Sequence, residues 1–351
     1  MLNTNKTLRR AVSIGAMACG IVLIILCLVL AFTGSTLSFR GPLLVIGAVA
    51  FFLGLYLYPT VFHHRTIVNV IFLFPLLFTF VVTVILPFAL GIFYSLTDWT
   101  GIRYTEFVGL KNYITMFQSK DFIYSIVLTI IFVVINMILV NFVAFCLALL
   151  CTSKIRGVGF FRAAFFLPNL IGGIVLGYIW QFIFNKVFLT LFNTNFSILA
   201  DANGAFLAII VVYVWQYAGY IMMIYITGLQ QVPRDVIEAS AIDGASPFRT
   251  LFAIKIPMIA STFTICTFLT LTSAFKQFDV NLSLTGGTPA RMMGSTIYSN
   301  GTEMLALNIY KTAVSKSDYA TAQAKAVLFF IMLAAVSLIQ VRISNKREVE
   351  M

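Results

Sequence analysis

Long apolar runs, each about as long as a bilayer is thick, leave this chain little freedom. Eight can be drawn along it, at roughly 11–33, 42–58, 67–96, 122–150, 161–184, 205–229, 257–275 and 323–341. Most reach the ~20 residues with which a helix crosses ~30 Å of hydrocarbon. The second is short and carries Gly47 and Gly54. Membrane β-barrels need segments of ~10 residues of alternating polarity, and these runs are too long and too evenly apolar for that. Only 10% of the residues are charged, against about 25% in an ordinary soluble domain, so lipid is the solvent that such a surface suits. The expected fold class is an all-α polytopic membrane protein with about eight transmembrane helices. The first run follows Lys6, Arg9 and Arg10 as a signal peptide would. It is longer than the ~7–15 residues of a signal h-region, so it reads as a retained anchor.

The net charge of +11 does not point to nucleic acid, because its placement follows topology. With eight spans both termini lie on one side. The segments of that side hold Lys6, Arg9, Arg10, Arg65, Lys154, Arg156, Arg162, Arg234, Arg249, Lys255, Arg342, Lys346 and Arg347, more than half of the 23 basic residues in the shorter set of loops. Positive residues favour the cytoplasmic side, so both termini are expected there. The five cysteines fall inside spans or at their ends, with no metal-binding spacing, and read as small apolar fillers.

The spans lack what several function classes need. Ion-coupled carriers and pumps keep ionisable side chains inside the membrane; here those side chains sit in loops or at span edges, with Lys325 at the start of the last span. An ion-coupled carrier is therefore disfavoured. A membrane enzyme is disfavoured too, since the only histidines, His63 and His64, are adjacent and do not share a helix face. No catalytic or metal-binding residues are assigned. There is no GxxxxGK[ST] phosphate loop, so if ATP drives this protein, another chain hydrolyses it.

Two features remain. Tyr178, Trp180 and Gln181 in one span, and Trp215, Gln216, Tyr217 and Tyr220 in the next, set aromatic faces beside amides, with Lys276 and Gln277 near the outer mouth. Such a mixture suits a sugar, whose C–H faces stack and whose hydroxyls need hydrogen bonds; helix packing with an interfacial belt is the alternative. The other feature is the polar interruption LQQVPRDVIEASAIDGASPFRTLFAIKIP at 229–257, on the positive-rich side. Pro233 suits a first helical turn, Asp235 and Glu238 suit its positive dipole end, and Gly244 suits the residue past its end. Ser246 and Pro247 look like the cap and first residue of a second helix, running to about Lys255, with Pro257 disturbing it where the next span starts. The small surface of Ala239, Ser240, Ala241, Gly244 and Ala245 lets another backbone approach. Ile237 and Ile242 are positioned to enter a partner's pocket, with Glu238 and Asp243 as orienting acceptors. A loop resting on its own bundle is the alternative.

Glu238-Ala239-Ser240, Asp243-Gly244-Ala245 and then Phe252, Ile254 and Pro257 resemble the EAA loop of bacterial ABC-importer permeases, with Ser240 in place of the second alanine and Ile256 in place of a leucine. SLTDWTG at 95–101, FVGLKNY at 107–113, FFRAAFFLPNL at 160–170, FKQFDVNLSLTGGTP at 275–289 and DYATAQAKAVLF at 318–329 resemble the carbohydrate branch of that family. The resemblance implies a six-helix permease core at 67–345, with the coupling loop at about 230–257. Residues 1–66 would be an added transmembrane hairpin and 346–351 a cytoplasmic tail. It implies a bacterial plasma-membrane subunit of an ATP-driven sugar importer, similar to the larger maltose-permease subunit without its large outer domain. The implied partners are a second permease subunit, two cytoplasmic ATPases that use ATP and Mg, and an extracytoplasmic solute-binding protein, with no cofactor held by this chain. A polyol, glycerol phosphate or nucleoside is the alternative solute.

Overall fold

The structure is a computed structural model that describes residues 2–32, 40–58, 64–104, 106–153, 156–193, 196–293, 296–298 and 300–345. The tail at 346–351, His63 and the basic residues Lys154, Lys346 and Arg347 lie outside the described residues. Among the described residues, six helices are long and apolar enough to cross a membrane, and a bent pair, Pro247–Met258 with Ala260–Phe275, adds a seventh span if counted as one. The eighth expected span is the shorter helix Arg40–Leu57.

The chain forms two compact units, 1–90 and 91–351. In the first, α1 (Leu2–Phe32) and α2 (Arg40–Leu57) make a hairpin. Its glycines are packing residues: a Cβ on Gly20 would lie 2.6 Å from the Gly47 carbonyl oxygen, and one on Gly54 2.7 Å from the Met17 amide nitrogen. Small residues let membrane helices approach closely, and the Ser13 hydroxyl uses that approach to donate to the Gly54 carbonyl. The glycines that make 42–58 look weak as a span are thus what joins it to α1. Helix α3 (64–95) includes a π turn at Val81–Ile85, and the boundary between the units falls inside it.

The second unit continues with α4 (Lys111–Gln118), α5 (Lys120–Thr152), α6 (Val158–Leu170), α7 (Gly173–Phe192) and α8 (Ala202–Gln231). Then come α9 (Arg234–Ile242), α10 (Pro247–Met258), α11 (Ala260–Phe275), a short hairpin of β1 (Arg291–Met293) and β2 (Thr296–Tyr298), α12 (Leu305–Val314) and α13 (Tyr319–Asn345). Helix starts follow capping chemistry. The Ser119 hydroxyl accepts from the Phe122 amide ahead of α5, and the Asp201 carboxylate accepts from the Asn203 and Gly204 amides at 3.0 and 3.1 Å ahead of α8. Helix α8 is the centre of the unit, 56% buried where α13 is only 6% buried. It packs on α5 through Phe132, Ile209, Tyr213, Met222 and Tyr225.

The stretch 161–184 is redrawn. It is not one span but two helices, because Pro168 sits at the end of α6 and Ile171 and Gly172 turn extended. The apolar length that crosses a membrane starts at Gly173 and runs on to Phe192.

Candidate functional site

The polar interruption is bracketed by two buried residues, Val232 and Ile259. Helix α9 starts at Arg234, with Pro233 as its extended N-cap, one residue earlier than the first-turn place expected of it. It ends in a Schellman motif: the Gly244 amide donates to the Ala241 carbonyl at 3.1 Å and the Ala245 amide to the Ser240 carbonyl at 3.0 Å. Gly244 has φ +75° and a Cβ added there would meet nothing, so backbone conformation alone calls for glycine. Ser246 caps α10 by accepting from the Arg249 amide at 3.3 Å, with Pro247 in the first turn.

Helix α10 does not stop near Lys255 or at Pro257. It passes through a π turn at Leu251–Lys255 and ends after Met258, where Ile259 breaks it and α11 leaves at 71°. The Ile256 amide reaches back to Leu251, so the wide turn lies immediately before the proline that lacks an N–H. Ser240, the departure from the EAA pattern, has a structural role. It is buried, donates to the Ile237 carbonyl at 2.7 Å and meets the Thr250 hydroxyl at 3.2 Å, tying α9 to α10.

The rest of the loop faces outward. Ile242 is 86% exposed and Phe248 73%, and the Phe248 ring lies 5.0 Å from that of Phe252. Ala239, Glu238 and Asp243 are exposed, Ile237 and Ala245 half-buried. Among the described residues neither Glu238 nor Asp243 is in an ion pair. The loop therefore presents a large apolar contact and two free acceptors on a rigid, capped frame.

The candidate path residues do not form one cluster. Tyr213, Gln216, Tyr217 and Tyr220 share one face of α8, whereas Trp215, Ala218 and Gly219 line an apolar groove on another. The Tyr213 and Tyr217 rings lie 4.4 Å apart, and Trp215 meets Trp180 edge-on at 5.4 Å. The two amides bind backbone at helix irregularities: Gln216 donates to the Ile171 carbonyl at 3.4 Å and Gln181 to the Leu284 carbonyl at 3.1 Å. Tyr178 and Lys276 are exposed. Gln277 is buried with its Nε2 unpartnered among the described residues, so it retains free hydrogen-bonding capacity.

Sequence reasoning missed a second polar assembly, at 281–325. Buried Glu303 accepts from Lys311 Nζ at 2.8 Å and from Asn308 Nδ2 at 2.7 Å. Buried Lys325 on α13 donates to Asn308 Oδ1 at 2.8 Å and to the Thr312 hydroxyl at 2.7 Å, and its ammonium lies 5.0 Å from the centre of the Phe122 ring. Lys311 also donates to the Gly286 carbonyl at 2.6 Å, and Asn281 donates to the Thr302 carbonyl and accepts from the Met304 amide. The signal was available: Asn308, Lys311 and Thr312 stand at helical spacing in an apolar stretch.

The family of binding-protein-dependent transport system inner membrane components matches residues 157–349, more than half of the chain, including the capped loop and the Glu303–Lys325 network. The chain belongs to this family. One relative, the probable starch degradation products transport system permease protein AmyD of Thermoanaerobacterium thermosulfurigenes, is 44% identical over 80% of this chain and 95% of its own length. Another, the multiple sugar-binding transport system permease protein MsmF of Streptococcus mutans, is 32% identical over 75% of this chain and 90% of its own. The fold is also that of a bacterial ABC transporter involved in the import of the acidic polysaccharide alginate, with a TM-score of 0.68 over 81% of this chain and 97% of that one at 16% identity. Like these permease proteins, the chain is an inner-membrane transport subunit and not an enzyme.

Proposed function

We propose that this chain is one membrane subunit of a bacterial ATP-driven importer of a neutral sugar or oligosaccharide, and that the loop from Pro233 to Ile259 docks into a separate cytoplasmic ATPase. The observation that carries the reading is the exposure of Ile242 and Phe248 on a frame fixed by the Gly244 Schellman motif, the Ser246 cap and the Ser240–Thr250 contact. A loop resting on its own bundle would bury such side chains. Glu238, Ala239, Ser240, Asp243, Gly244, Ala245 and Pro257 form the coupling element, with Glu238 as an anchoring acceptor.

ATP and Mg would be bound and used by the partner ATPases. Their closure would move the docked helix, and the stiff frame would pass that motion to α11 across the 71° bend, rocking the spans between outward and inward openings. A second permease subunit would complete the path, and an extracytoplasmic binding protein would deliver the solute. Both termini would be cytoplasmic. Sugars are favoured by what AmyD and MsmF are named for, and by the candidate aromatic and amide residues, of which Gln277 keeps an unpartnered Nε2 among the described residues. Lys276, exposed, is the one basic residue among the candidate path residues. That is sparse provision for a phosphorylated solute.

Purifying the tagged chain from its native membrane with its co-purifying subunits, then measuring ATPase stimulation by a sugar series with the binding protein present, tests the reading. Stimulation by a neutral oligosaccharide is expected, with ATPase recovery lost on Gly244→Asp. Undiminished ATPase recovery with Gly244→Asp would remove the docking assignment; stimulation by glycerol phosphate alone would remove the sugar.

A further inference from the structure

An apolar groove of about 490 Å³ opens between α5, α6 and α8, lined by Leu139, Val143, Leu147, Phe165, Val211 and Trp215 among others. Its lining on α5 is a stripe at four-residue spacing, and one more step along it reaches Cys151. The Cys151 carbonyl accepts from Arg162 Nη2 at 2.9 Å. Arg162 stands three residues before the groove-lining Phe165 on α6, and its bond to the Cys151 carbonyl sets the guanidinium about one helical turn beyond Leu147, past that end of the lining. Its Nε is buried and has no partner among the described residues. Arg156, exposed, belongs to the same end of the chain segment. From residue 122 to residue 200 there is no Asp or Glu, and the one carboxylate of α5, α6 and α7 is Asp121, at the opposite end of α5 from Cys151. The helices that carry this cationic end therefore bring no carboxylate to it.

An open apolar trough ended by an uncompensated guanidinium matches the two halves of an anionic phospholipid. The acyl chain would cover the trough, and the phosphate would take the planar donor fork that carboxylates and phosphates fit best. We propose that this groove holds an anionic bilayer phospholipid, its headgroup on Arg162 and one chain along Leu147, Val143 and Trp215. On the proposed topology the headgroup lies in the cytoplasmic leaflet; the groove and its cationic end do not depend on that topology.

Trp215 reports on the groove directly. In the full chain with Trp99→Phe and Trp180→Phe, it is the one tryptophan left of three. Phosphatidylglycerol with brominated chains should quench it at about one-fifth the mole fraction that brominated phosphatidylcholine needs, the factor expected of one basic residue at an anionic surface. Arg162→Gln should remove that preference and Arg162→Lys should keep most of it. Val211→Phe, which fills the trough and leaves Arg162 in place, should weaken quenching by both lipids. Equal quenching by the two lipids, or an unchanged preference in Arg162→Gln, would overturn the proposal, as would unchanged quenching in Val211→Phe. In the intact transporter, a photoreactive residue at position 211 should label phospholipid; an adduct with a protein subunit would assign the groove to a protein contact instead.

Discussion

Between Glu303 and Lys325 the chain closes its polar groups on one another, whereas between Pro233 and Ile259 it leaves its largest side chains in the open. In the first region two ammonium groups, one carboxylate, an asparagine and a threonine satisfy each other inside the protein. In the second, hydrogen bonds fix only the frame, through Gly244, Ser246 and the Ser240–Thr250 pair, while Ile242, Phe248, Glu238 and Asp243 face outward. Buried charge is stable only when paired and hydrogen-bonded, so the first region is complete within one chain. The second spends backbone order on a surface that this chain alone does not cover, which is the expected design of a contact made with another subunit.

Substitutions should separate the two regions, in descending order of effect on stability. Glu303→Ala leaves Lys311 without its carboxylate and frees Asn308, which Lys325 uses as an acceptor, and breaking a buried ionic assembly from one side costs ~3–5 kcal/mol. A melt of the purified chain in detergent should show a large fall, and an unchanged melting temperature would mean that the network is not structural. Gly244→Val puts a β-branched residue at φ +75°, where an L-residue is destabilised by ~1–2 kcal/mol. Hydrogen exchange should quicken over 240–246 and leave the Glu303–Lys325 region as it was. Ser246→Ala removes a cap worth ~1 kcal/mol, and the change should be confined to the Arg249 amide and its turn; loss across α8 would contradict the loop's independence.

The sequence was legible where one local rule decides the outcome. Apolar length marked the spans, Gly244 marked the end of α9 because left-handed backbone is needed there, and Ser246-Pro247 marked the start of α10. It was misleading where two rules act together. The run at 161–184 is evenly apolar, yet Pro168 and the extended Ile171–Gly172 divide it. Pro257 looked like the break, but a π turn precedes it and the bend falls at Ile259. Trp215 and Gln216 are neighbours in sequence, yet Trp215 lines an apolar groove while Gln216 bonds the Ile171 carbonyl, a division that adjacency does not reveal. The Glu303–Lys325 network joins residues from three separate segments, and its partners become visible only when α12 and α13 are packed together.

The most direct measurement concerns Ile242, whose side chain is exposed and makes no contribution to the frame. Surface substitutions of this kind change stability by no more than about 0.5 kcal/mol, so Ile242→Glu should melt with the wild-type chain. The ATPase should co-purify with the wild-type chain and be lost from Ile242→Glu at equal chain recovery. Equal ATPase recovery from both would contradict the claim that this loop is where the ATPase docks.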